Sequence, residues 1–380
     1  MFKDKIMNAL SNLISRPPQH DVIANNVMSP AHSEALVHAL YDGILGRPAD
    51  EGGLQYHVNA ILHGASLSKI VANFVSSDEF CKRVIFAPNK ETVRLPDLTA
   101  MFPNKYVRRT QELSIFEAKS NEDYKLLEDA IVKYRYYDSF DVYGSKIDLD
   151  KKITAGIALG LGSTSALELG CFTGSVLSVL ADKGVDVCGV DASHLAFVLA
   201  HENVRGKLRF GDLLDIQFDQ RFDTFIAMDV LEHLNPTRLP LYIDKIDSLL
   251  NKNGFIILNS PMFGPDIRFG EAFPVYFAEW TSAGTQEFWR HIHCDARGWP
   301  VHGHLIFASP NWWEATFQSG GFVRDPILEE HTQILLKTFF EKLGPGRKSM
   351  FILRRPYYSP NYEQLKKKLS EHLIPLVCNL

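Results

Sequence analysis

The chain has 380 residues, 46% hydrophobic and 22% charged, with a formal net charge of −5. That length admits two domains and a large core, and the absence of a basic excess argues against nucleic acid as a partner. No apolar run reaches the roughly 20 residues that cross a bilayer, and the five cysteines (Cys81, Cys171, Cys188, Cys294 and Cys378) are dispersed without a C-x-x-C pair, which predicts reduced thiols in a cytoplasmic protein.

Residues 1–28 read as an N-terminal helix and linker. Phe2, Ile6, Leu10, Leu13 and Ile14 form a helical stripe. Interrupting Asn and Ser residues exclude a signal-peptide core, so a docking helix is expected, with a peripheral membrane contact as the alternative. Residues 29–86 read as a small all-α domain. "HSEALVHALYDGILGR" predicts an amphipathic helix with Leu36, Leu40, Ile44 and Leu45 on one side. "PADEGG" supplies a turn, "LQYHVNAILHG" a second helix closed by Gly64, and "SLSKIVANFVSSDEFCKRV" a third, with Ser76, Ser77 and Asp78 placed to cap a short fourth. Arg47, Asp50, Asp78 and Glu79 are expected as structural ion pairs and caps, or else as a contact for a ligand or protein partner. Residues 87–139 follow as an irregular linker, marked by Pro88, Pro96 and Pro103, and a connecting helix that ends in an aromatic stretch.

The informative part of the chain is residues 140–356. A helix leads into the strand "SALEL", which enters the turn Gly170-Cys171-Phe172-Thr173-Gly174. The helix that leaves this turn closes at Gly184, the strand "VDVCGV" delivers Asp191, and a third acidic turn follows at Gly211-Asp212. This is one nucleotide-binding half of a doubly wound, Rossmann-like α/β sheet, and a carboxylate at the tip of the second strand suits a ribose diol. A dinucleotide site wants G-x-G-x-x-G so that a pyrophosphate can approach the helix. Here Phe172 stands where the middle glycine would be, and Glu168 precedes the turn. Negative charge there suits an ammonium or sulfonium better than a diphosphate. Gly160-Leu161-Gly162 precedes the strand and fails the context test. "FDTFIAMDVLEHL" reads as a fourth strand running into Asp229, Glu232 and His233, and "NKNGFIILNSP" as a fifth. An aromatic and histidine-rich insertion, 262–305, comes next, then a Ser-capped helix, a strand near Phe322, the last strand "KSMFILRRP" and a helical tail, 357–380.

These motifs, in this order, resemble a class I S-adenosylmethionine-dependent methyltransferase over residues 140–356. The resemblance implies a seven-stranded sheet with an antiparallel last strand, and S-adenosylmethionine as cofactor. It puts Glu168, Gly170, Cys171 and Gly174 at the methionine end, Asp191 and Ala192 at the ribose, and Asp212 and Leu213 at the adenine. Asp229 would line the site, and Tyr137 or Tyr143 would cap it. Phe172 departs from the family's usual second glycine. The segment "LYDGILGRPADEGGLQYHV…GASLSKIVANFVSSDEF" resembles a small helical bacterial domain of unknown function and is similar to phycobilisome linker domains. In the bacterial family such modules accompany glycan-handling and surface-associated proteins.

Methyl transfer is an in-line displacement that needs alignment, exclusion of water and, for a hydroxyl acceptor, a base. His233 is the first candidate, with His302 and His304 comparable; a structural role for "LEHL" is the alternative. Trp280, Trp289 and Trp299, interleaved with Arg290, His291 and His293, suit a hydroxylated sugar or a ring, or else ordinary core packing. The spacing of His291 and His293, and of His302 and His304, with Asp295 nearby, permits a metal, but no supporting pattern accompanies it and none is assigned. The expected function is methylation of a hydroxyl or amino group of a carbohydrate in bacterial surface-glycan biosynthesis. Another small-molecule or lipid-linked acceptor, or a non-catalytic scaffold recruiting a protein through the helical domain, are the alternatives.

Overall fold

The computed structural model describes residues 29–45, 47–75, 77, 95–134, 136–139, 146–193, 196, 199–283, 288–378 and 380. The N-terminal stripe, the Ser76 and Asp78 caps, Glu79 and Tyr143 lie outside the described residues. The chain divides into two units, Met1–Glu91 with Ser193–Ala200, and Thr92–Ala192 with His201–Leu380.

Among its described residues the first unit holds three α-helices, α1 (Pro30–Leu40), α2 (Glu51–Leu62) and α3 (Leu67–Val75). Ser29 caps α1, and Asp50 caps α2 by accepting a 2.8 Å bond from the Gly53 N–H. Arg47 pairs with Asp50 at 3.0 Å and lies over the Tyr41 ring. The buried centre is Val37, Tyr41, Leu45, Ile70, Val71 and Phe74. Leu36, Leu40 and Ile44, expected on the apolar side, are only half-buried. The stripe is rotated because α1 runs into a π-helical turn, Tyr41–Leu45, and the aromatic ring of Tyr41 packs edge-on to Phe74 at 4.8 Å.

The second unit is built on a seven-stranded sheet. Its strands are β3 (Ser165–Leu169), β4 (Asp186–Asp191), β5 (Leu208–Phe210), β6 (Phe222–Met228), β7 (Leu250–Asn259), β11 (Val323–Arg324) and β12 (Met350–Arg354). Their order is β11-β12-β7-β6-β3-β4-β5. Strands β3 to β7 pair in parallel, while β12 runs antiparallel to β7, Met350 facing Asn259. The sheet is therefore the seven-stranded type with a reversed strand that the motifs imply. β3, β6 and β7 read as near-continuous buried runs because helices cover both faces. The helix before β3, α6 (Leu149–Gly160), packs against the C-terminal helix α13 (Tyr362–Val377), whose Leu365, Leu369 and Leu373 form an i, i+4 buried stripe.

The expected irregular linker is the main departure. β1 (Tyr106–Arg109) and β2 (Leu113–Glu117) form a hairpin, and β10 (His291–Asp295) from the insertion adds to β2 in antiparallel register, His291 facing Glu117. Together with α5 (Asn121–Lys133) they close a second core around Ile115, Phe116, Tyr124, Trp280, Phe288, Ile292, Trp299 and Phe307. Two short strands whose partner lies far along the chain carry almost no local signal; burial of Ile115 and Phe116 by the insertion is what orders them.

Candidate functional site

The carboxyl ends of β3, β4 and β6 converge, as ligand sites do in open parallel sheets. Glu168, next to last in β3, is 5% exposed, and its Oε2 is a buried oxygen with no hydrogen-bond partner. Burial, and then the nearby Asp191, push its carboxyl well above the usual range. Gly170 follows at φ +69, and a Cβ there would lie 2.6 Å from Val230 Cγ2, so only glycine fits. Phe172 sits at φ +42, in the left-handed region that a glycine would occupy without strain. The turn keeps its shape because the Phe172 N–H donates to Asp191 Oδ2 at 2.8 Å. Cys171 is buried, and Gly174, at φ +72, opens the helix α7 (Ser175–Ala181).

Asp191 stands at the end of β4, with Ala192 exposed beside it. Asp212 is more committed than its sequence position implies. Its Oδ1 accepts from the Leu214 N–H, and its Oδ2 from the Tyr242 hydroxyl at 2.8 Å and from Arg238 at 3.2 Å. Leu213 is a core residue, 1% exposed. Asp229, at φ +55, follows β6 and is held by Asn259 Nδ2 at 2.6 Å and by Arg347. Arg347 also binds Asp150 through two bonds, at 2.7 and 2.8 Å. Burial raises the Asp150 carboxyl, but the Arg347 guanidinium outweighs it and holds the group below the usual range. Arg347, Asp150, Asn259 and Tyr242 escaped the sequence reading. Arg347 precedes β12, and an antiparallel last strand begins at the carboxyl edge, so strand direction was the available signal.

A histidine cluster forms at the loop after β6. His233 ends a short 3₁₀ turn after β6, and its Nδ1 lies 3.1 Å from the Tyr137 hydroxyl and 3.3 Å from the Gly303 carbonyl oxygen. The His233 and His304 rings meet edge-on at 4.8 Å, and His302 and His304 are 5.6 Å apart. His302, at φ +57, is exposed. Leu305 and Ile306 donate backbone N–H bonds of 2.7 and 3.0 Å to the Glu232 carbonyl, which stitches this segment to the loop after β6. Glu232 is fully buried; Ser260 donates to its Oε2 at 3.1 Å. Burial, then Asp229, push Glu232 well up, while burial pulls His233 down to about 4 and His304 to about 2. Both imidazoles are neutral at physiological pH.

The expected aromatic wall is divided. Trp280 and Trp299 are fully buried, and their indole N–H groups donate to the carbonyls of His291 and Pro96 at 2.7 and 2.8 Å. They belong to the second core and present no face to an acceptor, since a satisfied indole is the cheapest large filler there. Trp289 is half-buried, stacked on Tyr124 at 6.1 Å with Arg290 over its ring at 4.9 Å. His291 and His293 share the half-buried face of β10. Only His293 reaches the cluster's edge, bonded to the exposed Tyr276 hydroxyl at 3.1 Å; His293 and His304 both lie against Phe307, at 6.1 and 5.8 Å.

Residues 166–254 match a family model described as a methyltransferase domain, and residues 24–84 match a domain of unknown function, DUF4214. The sheet unit thus combines a seven-stranded α/β sheet with a match to a methyltransferase domain over residues 166–254. The chain is 30% identical over 97 residues to an uncharacterized methyltransferase of Staphylococcus carnosus. That match covers 26% of this chain and 47% of the relative, so the chain spans about half the length of the curated relative. Among solved structures, the Burkholderia thailandensis 1,6-didemethyltoxoflavin-N1-methyltransferase aligns at 15% identity over 66% of this chain and 96% of its own, with a TM-score of 0.38. CalS10, an amino pentose methyltransferase from Micromonospora echinaspora, aligns at 14% identity over 59% and 96%, with a TM-score of 0.37. Scores this low carry no argument about the acceptor.

Proposed function

We propose that the protein transfers a methyl group from S-adenosylmethionine to a hydroxyl or amino group of a carbohydrate acceptor in bacterial surface-glycan synthesis. The observation that carries the methyl-donor half is the buried Glu168 carboxylate with an unpartnered oxygen, set under a left-handed turn and next to Asp191. A ligand ammonium or sulfonium supplies the missing donor or charge, and Asp191 is placed to accept from a ribose diol. Asp212, already bonded by Tyr242 and Arg238, supplies wall rather than a free carboxylate to the adenine end.

The acceptor half rests on the cluster of Tyr137, Tyr276, His233, His293, His302 and His304. Tyr137 and Tyr276 are about half-exposed, and hydroxyls with imidazole nitrogens at an aromatic edge suit a polyhydroxylated ring. In the reaction an acceptor oxygen attacks the methyl carbon, the C–S bond breaks, and the sulfonium becomes a thioether. The hydroxyl proton passes to a histidine of the cluster. The free thiols of Cys171, Cys188, Cys294 and Cys378 support a reducing, cytoplasmic setting. No described helix is long and apolar enough to cross a membrane.

Calorimetric titration of S-adenosylmethionine and S-adenosylhomocysteine tests the donor half, with micromolar binding expected. Absence of binding to the folded protein would remove it. Nucleotide sugars and glycan fragments, screened with labelled donor, then test the acceptor; label appearing only on a non-sugar small molecule would overturn the carbohydrate assignment.

A further inference from the structure

We infer that Glu232, His233 and His304 form a binding site for one divalent transition-metal ion. Their ligating atoms, one from each residue, lie within 4.8 Å of one another. Two imidazoles and one carboxylate suit the Mn²⁺ to Zn²⁺ series, and three protein ligands leave coordination positions open for water or acceptor hydroxyls.

Four observations carry the site. Glu232 Oε1 is buried without a hydrogen-bond partner, in a residue that is fully buried. An oxygen in that condition is costly unless a cation or a proton meets it. His304 Nε2 lies 3.9 Å from that oxygen. The gap is too long for a hydrogen bond, and a small side-chain movement would bring it to the roughly 3.3–3.6 Å that separates two tetrahedral ligands each about 2.0–2.2 Å from a shared ion. His233 Nδ1 is engaged by the Gly303 carbonyl at 3.3 Å and the Tyr137 hydroxyl at 3.1 Å, which leaves Nε2 as the ring atom for an ion. The two loops are also locked together by the Leu305 and Ile306 N–H bonds to the Glu232 carbonyl, so the ligands sit on one rigid frame.

The ligand set stands on this geometry; the role of the ion rests on the methyltransferase reading. There it binds an acceptor hydroxyl oxygen and lowers its pKa. His233 and His304, as ligands, no longer take the proton. The released proton passes to water.

The test uses the full chain, stripped with chelator and titrated with CoCl₂ while visible absorption is followed. About one equivalent should bind with a ligand-field spectrum and be displaced by Zn²⁺. His304→Ala and Glu232→Gln should weaken Co²⁺ binding more than tenfold, whereas His302→Ala should leave it intact. Circular dichroism checks the fold of each variant, and if Glu232→Gln does not fold, the half-buried His304 decides alone. Equal Co²⁺ affinity in all variants, or no Co²⁺ and no Zn²⁺ bound, overturns the site. Co²⁺ binding without S-adenosylhomocysteine binding would remove the methyltransferase reading and keep the metal; the reverse would remove only the metal.

Discussion

The two parts of the candidate site are built in opposite ways. The cofactor side comes from one strand–turn–helix and the strand beside it, Glu168 to Gly174 and then Asp191. The histidine side draws Tyr137, His233 and His304 from separate segments, and its hydrogen bonds span 96 residues between Tyr137 and His233 and 70 between His233 and Gly303. The first depends on backbone conformation, which local sequence dictates. The second depends on burial and charge, which only packing creates. Substitutions in the glycine turn should therefore act through shape, those at Glu168 and Asp191 through charge, and those in the histidine cluster through protonation and ligation.

The largest expected effect is at the turn. Gly170→Ala drives a methyl against Val230 in a left-handed backbone, which should cost roughly 2–5 kcal/mol. Denaturant unfolding reads the loss, and cofactor binding should vanish with it. Wild-type stability would break the contrast, because shape would then not govern that side. Asp191→Ala should weaken S-adenosylmethionine binding about ten- to hundredfold by removing charge-assisted bonds, and it also releases the Phe172 N–H. Unchanged affinity in calorimetry would dismiss Asp191 as the ribose acceptor. Arg347→Met strips the shared cation from Asp150 and Asp229 and should lower stability by roughly 1–3 kcal/mol, again read by denaturant unfolding.

Smaller effects sharpen the comparison. The Glu168 carboxyl is raised above its ordinary pKa, so it is protonated in part of the acidic range where a free carboxylate would be ionised. A cationic ligand must release that proton, hence affinity should rise with pH until the raised pKa is passed, and then level. Glu168→Gln should flatten this dependence; an identical pH profile in the variant would assign the titration elsewhere. Trp280→Phe, which removes a buried N–H bond to the His291 carbonyl, should cost about 1 kcal/mol of stability and leave the acceptor KM unchanged. A raised KM in kinetic assays would return Trp280 to the acceptor wall.

The fold was largely legible because its signals are local. Apolar runs mark β3, β6 and β7, and the acids at the ends of β3, β4 and β6 follow a fixed spacing. The site was legible in part. Glu168, Asp191 and Asp229 were named, and all reach the carboxyl edge. In sequence, Trp280 and Trp299 suit an acceptor wall or a core equally, and the structure makes them core, since an aromatic residue looks the same in sequence whether it covers a ligand or fills an interior. The β1–β2 hairpin was read as linker because its third strand lies about 180 residues away.

By itself the sequence determined the sheet type, the glycine turn and the order of the acids along it, because hydrophobic periodicity and left-handed turns are properties of neighbouring residues. Tertiary structure alone decided that Arg347 joins Asp150 to Asp229, that Tyr242 occupies Asp212, and that Glu232, His233 and His304 meet in a buried cluster. Those contacts follow from which surfaces lose water when distant segments pack, and desolvation is a property of the assembled fold rather than of any stretch of chain.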